Sequence, residues 1–176
     1  MKVTLIKTLS NSDLQNQIEF TPVWGTESNI QRLKAIELWQ RNNALSDTEV
    51  MEQRAKEVVL MAFRGGQTIA VSTASKRQIK LLNDNFFYEY RCFVDPSARI
   101  PALDVRLSRM SFDLLEQWAL EHDSTIKGII TILENDNLQR EKFWRKAVWP
   151  VLNMVFVGYT QGRNPIRVSY FDRARI

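Results

Sequence analysis

The stretch 85-NFFYEYRCFVDPSARIPALDVRL-107 changes its periodicity half-way, and that change decides how the chain is folded. Residues 85–94 are aromatic and β-branched, the composition of a strand. From Leu103 the period becomes helical: Leu103, Leu107, Met110, Leu114 and Trp118 share one face, with Leu115 and Ala119 beside them. The residues between are a strand-to-helix junction. Such junctions often cradle a phosphate, because a helix N-terminus presents free N–H groups and a positive dipole end. Glycines usually let the backbone close on the anion, yet here Ile100, Pro101, Ala102 and Asp104 occupy the turn.

Outward from this junction, the pattern predicts one α/β layer structure over residues 1–176. Towards the N-terminus, "EVVLMAF-RGG-QTIAVSTAS" is two β-rich runs around Gly65–Gly66, a hairpin signal, followed by the basic stretch "KRQIKLLND". "SDTE" at 46–49 has the form of a capping box and predicts a helix over 47–56. "NIQRLKAIELWQRNN" predicts a helix with Asn29 as its N-cap. Residues 9–28 are polar, with Pro22 and Gly25 as breakers, and read as an irregular excursion; "KVTLIKT" at 2–8 reads as a first strand. Towards the C-terminus, "IKGIITIL" (126–133) reads as a buried strand. "NLQREKFWRKAVW" (137–149) reads as a helix that Pro150 stops. Residues 151–160 and 165–171 read as a closing hairpin. The predicted order is β-α-α-β-β-β-α-β-α-β-β: a mixed central sheet with helices on both faces and a parallel crossover over 85–133.

Composition narrows the function classes. Of the 176 residues 44% are hydrophobic and 25% charged, and no apolar run approaches the roughly 18 residues of a membrane span. The start "MKVTLIKTLSNSD" lacks the apolar core and cleavage site of a secretory signal. One cysteine (Cys92) and one histidine (His122) make neither an internal disulfide nor a Cys/His zinc site, so the expectation is a reduced, cytoplasmic protein without a metal. The net charge of +4 suits an anionic partner.

The order of elements and two local patterns resemble the GNAT superfamily of N-acyltransferases over essentially the whole chain. Typical members carry V-x-P-x-x-R-G-x-G-x-G between a central strand and a helix. Val94, Pro96 and Arg99 match it, while Ile100, Ala102 and Asp104 stand where that pattern has glycine. A second pattern, N-x-x-A-x-x-L-Y-x-K-x-G-F, is matched or approached by Asn137, Phe143, Lys146 and Trp149; Arg140, Trp144 and Val148 depart from it.

The resemblance implies a divergent N-acyltransferase that takes acetyl-CoA or another acyl-CoA and an amine acceptor. The donor would lie where strand 85–94 diverges from strand 126–133. It would have its phosphates along Arg99, Ile100, Ala102, Leu103, Asp104 and Val105, its thioester by Phe93 and Val94, and its pantetheine arm by Asn137. Asp104 would repel a pyrophosphate unless turned away or paired with Arg99 or Arg106. Trp144 replaces a tyrosine that often protonates the leaving thiolate, and an indole N–H is no proton source.

Other residues keep two readings. Glu89 is either a general base for the amine or a carboxylate paired with Arg91, and Glu134 is a second candidate of the same kind. Asn137 suits an N-cap as well as the pantetheine arm. Cys92 reads as a small buried hydrophobe, His122 as a partner of helix C-terminal carbonyls, and Trp24 as core or pocket lining. The basic helix with Arg140, Lys142, Arg145 and Lys146, and the tail residues Arg173 and Arg175, are either a solvated face or a nucleic-acid surface. The alternative function is therefore a GNAT fold without catalysis, a binding module for nucleic acid or a protein, with its cleft filled by Ile100 or Trp144.

Overall fold

The computed structural model describes residues 17–98, 100–133, 146–172 and 174. The expected strand at 2–8, Arg99, Glu134, Asn137, Trp144, most of the helix expected at 137–149, and Arg173 and Arg175 lie outside them. The described elements are β1 (Ile18–Pro22), α1 (Asn29–Arg41), α2 (Thr48–Lys56), β2 (Val58–Arg64) and β3 (Gln67–Ile79). A 3-10 turn (Lys80–Leu82), β4 (Asn85–Val94), α3 (Leu103–His122), β5 (Ile126–Ile132), β6 (Val148–Trp149), β7 (Met154–Tyr159) and β8 (Pro165–Tyr170) follow.

The strands form one sheet in the order β1-β2-β3-β4-β5-β8-β7-β6. β4 and β5 are parallel, joined through α3, and every other neighbour pair is antiparallel. β2 is buried on both faces up to Phe63, as expected of a strand with a layer on each side. On one face α1 and α2 supply Leu38, Trp39, Met51 and Ala55 to a core with Val58, Met61 and Val71. On the other, α3 lays Leu103, Leu107, Leu115 and Ala119 against Leu60, Tyr88, Tyr90 and Ile129. Burying a leucine of this kind is worth about 1.5–3 kcal/mol.

Several expectations are corrected. Residues 18–22, expected to be irregular, form the edge strand β1, with Ile18 opposite Arg64 and Pro22 opposite Leu60. Ile18 and Phe20 pack on the core while Glu19 faces out, and the proline is tolerated because it ends an edge strand. The N-caps fall one residue from those expected: Ser28 precedes α1, and the Asp47 carboxylate, not Ser46, accepts the N–H groups of Glu49 and Val50.

The basic stretch after Ser75 continues β3, because Lys76 pairs with Asp123 at 2.7 Å and Arg77 with Glu89 at 2.9 Å. The stripe of α3 that faces the sheet is Leu103, Leu107, Ser111, Leu115 and Ala119, whereas Met110 is 40% exposed. Ser111 tolerates the core because its hydroxyl reaches the Leu107 carbonyl (2.7 Å) and the Ser72 hydroxyl (2.8 Å). Val148 and Trp149 are strand, not helix. Arg167 of β8 donates to the carbonyls of Lys146 (2.6 Å) and Ala147 (3.3 Å) and lies 4.1 Å over the Trp149 ring, which fixes an extended chain there.

Candidate functional site

The site is made by two strands that part. β4 and β5 pair at Phe86/Ile126, Tyr88/Ile129 and Glu89/Ile130, and no further. Beyond that point β4 stays with β3 as far as Val94/Ala70, while β5 stays with β8 as far as Ile132/Ile166. Each strand follows its outer neighbour, so a wedge opens between them through the sheet. A cavity of about 690 Å³ occupies the wedge, bounded by Tyr90–Val94 on one side and Thr131–Leu133 on the other. That volume falls within the roughly 300–1,000 Å³ of small-molecule sites.

Because side chains alternate along β4, the cavity has two chemically different lobes. On the α3 face Tyr90, Cys92 and Val94 meet Asp104, Val105 and Ser108. On the α1/α2 face Arg91 and Phe93 stand beside their β3 partners Thr73 and Val71, roofed by Trp39, Leu45 and Arg54.

The junction that follows β4 is tied down at its start. The Asp95 N–H donates to the Ile69 carbonyl at 2.8 Å, and its carboxylate pairs with Arg41 at 2.7 Å and accepts from the Ser97 N–H and hydroxyl. Burial disfavours the Asp95 charge, but the Ser97 hydroxyl and the Arg41 guanidinium outweigh it and hold this carboxyl well below the usual carboxylate range. Ala98 is held by Arg64, which donates to its carbonyl at 3.2 Å. Ile100 packs against the main core and stays outside the left-handed region. Ala102 does not: it enters α3 at φ 55°, ψ 22°. An L-residue there costs roughly 1–2 kcal/mol relative to right-handed backbone. The turn thus keeps a glycine-type conformation with an alanine in it. The first-turn amides of α3 follow immediately, with the Asp104 carboxylate among them at the cavity wall.

The overall fold recurs in solved structures. An acetyltransferase of the GNAT family from Streptococcus pneumoniae superposes with a TM-score of 0.53 at 12% identity, over 86% of this chain and 96% of that one. The ribosomal-protein-S5-alanine acetyltransferase from Vibrio fischeri gives 0.55 at 11% identity, over 90% and 96%. Arabidopsis thaliana NAA60, in complex with acetyl-CoA, gives 0.56 at 11% identity, over 89% and 99%. The chain has the GNAT fold. No protein-family profile and no curated protein matches the sequence.

Within this GNAT fold the residues singled out from the sequence separate into two groups. Phe93, Val94, Ala102, Asp104 and Val105 come together, with all but Ala102 lining the cavity. Leu103 is 1% exposed and belongs to the core, and Ile100 packs there too, so neither side chain fills the cleft. Glu89 is 5% exposed, is not among the lining residues, and engages both oxygens, one with Arg77 and one with Arg91. That is the paired arrangement, and it replaces the free base by a carboxylate that fixes two guanidiniums.

Cys92 opens onto the cavity instead of packing in the core. Desolvation by the cavity walls, together with the Asp104 charge, pushes the thiol up to about 12, so it stays protonated at neutral pH. His122 sets Nδ1 3.1 Å from the Trp118 carbonyl, at the end of α3 as expected. Trp24 packs edge-on against Tyr88 and Trp118, at 5.4 and 6.5 Å, and lines no part of the cavity.

Four site residues were not singled out. Tyr90 donates to Ser108 at 3.2 Å inside the α3-face lobe, and burial raises its hydroxyl well above the ordinary tyrosine value. Arg54 and Thr73 line the opposite lobe. The signal for Tyr90 was present, since it shares a strand face with Cys92. The other three depend on which elements pack together. No described helix is long and apolar enough to cross a membrane, and the described residues hold no cluster of metal-ligating side chains.

Proposed function

We propose that the chain is an N-acyltransferase that moves an acyl group from an acyl-CoA-type thioester to an amine. The observation that carries this reading is the cavity of about 690 Å³ that passes through the β4/β5 split and ends at the first turn of α3. The residues present fit such a donor in outline. Ala102 supplies the left-handed turn, the α3 amides supply donors for phosphate oxygens, and among the described residues the edge of β4 beyond Glu89 has no ladder partner on its β5 side. Asp104 is the exception, a carboxylate set against those anions. Ile100 packs on the core and leaves the cleft clear, which supports catalysis over the binding-module alternative; Trp144, the other side chain that alternative set in the cleft, lies outside the described residues.

The reaction forms a C–N bond and breaks a C–S bond, with one proton leaving nitrogen and one taken up by sulfur. Among the described residues no carboxylate lines the α1/α2-face lobe, whereas Arg54 and Arg91 do. Water carries the amine's proton away. On the α3 face Ser108 accepts from Tyr90, which leaves the serine's own O–H free to turn towards the leaving sulfur. Calorimetric titration with acetyl-CoA, a long-chain acyl-CoA and free coenzyme A tests the proposal, paired with a thiol-release assay on a panel of amines. Saturable one-to-one binding and thiol release are expected. No binding at millimolar ligand sinks it.

A further inference from the structure

We infer that the acyl group of the donor is an unbranched alkyl chain longer than acetyl, and that it lies in the α1/α2-face lobe against Trp39, Ala44, Leu45, Val71 and Phe93. The inference deepens the acyltransferase reading and rests on it. Those side chains belong to one apolar cluster. Trp39 and Val71 are 2% and 1% exposed, Ala44, Leu45 and Phe93 are partly buried against that cluster, and all of them line the cavity.

The shape of the wedge forces a turn. β4 and β5 are paired at Glu89/Ile130, with Ile130 fully buried, so the wedge is closed at its apex. A chain that enters between the strands from the first turn of α3 cannot run straight on and must leave by one face of the sheet. On the α3 face it would meet the Asp104 carboxylate and the Tyr90 and Ser108 hydroxyls, and an alkyl chain strips water from such groups without replacing its hydrogen bonds. On the other face Val71 and Phe93, ladder partners across β3 and β4, share their cluster with Trp39 and Leu45.

An acetyl methyl ends in the wedge and leaves this wall facing water. A longer chain covers the wall, and the gain grows with each methylene removed from water. The cations in the lobe take no part, since Arg91 is held by Glu89 and Arg54 has a partner of its own. Thr73, one side-chain step further in than Val71 on the same face, keeps a polar part of the lobe for the amine. Chain length leaves the bond balance unchanged: the C–S bond breaks, the C–N bond forms, water takes the amine's proton and the sulfur gains one.

Calorimetric titration of the full chain with acetyl-, butanoyl-, hexanoyl- and octanoyl-CoA tests the inference. Each methylene that enters the lobe is worth about threefold in affinity, so hexanoyl-CoA should bind at least about thirtyfold more tightly than acetyl-CoA. In Leu45→Trp, which fills the lobe, that ratio should fall towards one while acetyl-CoA binds as it does to the native chain. Ala44→Phe gives a second, independent loss if Leu45→Trp melts early. A flat or falling series overturns the inference, as does an unchanged ratio in both variants. With coenzyme A bound, isoamylamine and methylamine probe the rival occupant. A preference for isoamylamine that Leu45→Trp abolishes would give the lobe to the body of the amine and overturn the inference. Acetyl-CoA binding with a flat series removes the longer chain alone; no binding of any thioester removes the acyltransferase reading with it.

Discussion

The two lobes of the cavity share a wall, β4, and differ in what makes them. On the α3 face the site is mostly backbone: a left-handed turn at Ala102 and the first amides of a helix, with Asp104 placed against them. On the α1/α2 face it is side chains: Arg54, Arg91 and apolar walls drawn from α1, the loop after it and two strands. Backbone geometry tolerates residue exchange as long as the new residue can bear the conformation, so the α3-side mouth holds a left-handed turn with an alanine in it. Side-chain chemistry changes with each exchange, so the second lobe is the one that a substitution alters most directly.

The largest expected effect comes from cutting the tie between the two sides. Asp95 anchors the junction to α1 through Arg41. Asp95→Ala should lower unfolding stability by about 2–3 kcal/mol, less than a fully buried pair because Arg41 is partly exposed. The folded Asp95 carboxyl titrates below its unfolded value, so its contribution is complete above the unfolded value of about 4 and is lost as pH falls through the folded one. Chemical denaturation at stepped pH should therefore show a shallower acid loss in Asp95→Asn than in the native chain. Equal slopes would remove Asp95 as the anchor.

Next comes Asp104→Asn, which removes a like charge from the donor-side mouth. Coenzyme A should bind about fivefold more tightly, or about 1 kcal/mol, and the gain should shrink as salt is raised. A loss of affinity would mean that the carboxylate orders the turn instead of opposing the ligand. Ser108→Ala should lower turnover about tenfold with little change in the KM for the donor, as read from thiol-release kinetics. An unchanged kcat would leave the sulfur to solvent.

The smallest effect is expected of Ala102→Gly. Relief of roughly 1–2 kcal/mol of left-handed strain, less the roughly 0.5–1 kcal/mol of glycine's extra unfolded freedom, should stabilise the chain by up to about 1 kcal/mol. Thermal unfolding reads it, and destabilisation would show that the alanine methyl makes a contact that outweighs the strain.

What the sequence made legible follows the same division. β4 and the start of α3 at Leu103 were readable to the residue, because a change of period is local. The hairpins at Gly65–Gly66 and after Tyr159 were readable for the same reason. β1 was not, since five residues ending in proline carry little pattern and the strand exists only because β2 offers it an edge. Ser111 concealed the buried stripe of α3, because its place in the core depends on Ser72 across the layer.

The resemblance of the junction to the GNAT pattern drew attention to Ala102 and Asp104, and the structure sets Asp104 at the cavity wall. No such pattern drew attention to the α1/α2-face lobe. Arg91 was visible only as a partner for Glu89, and Arg54 comes to the same cavity through the packing of α1 and α2 on one face of the sheet, which no local pattern encodes.

The central claim is that the wedge between β4 and β5 holds an acyl-CoA-type donor. Calorimetric titration of acetyl-CoA into the native chain and into Cys92→Phe, which fills the wedge from β4 while leaving the junction intact, tests it most directly. The account predicts one saturable site in the native chain and at least about tenfold weaker binding in the variant. No binding to the native chain, or equal binding to both, would contradict it.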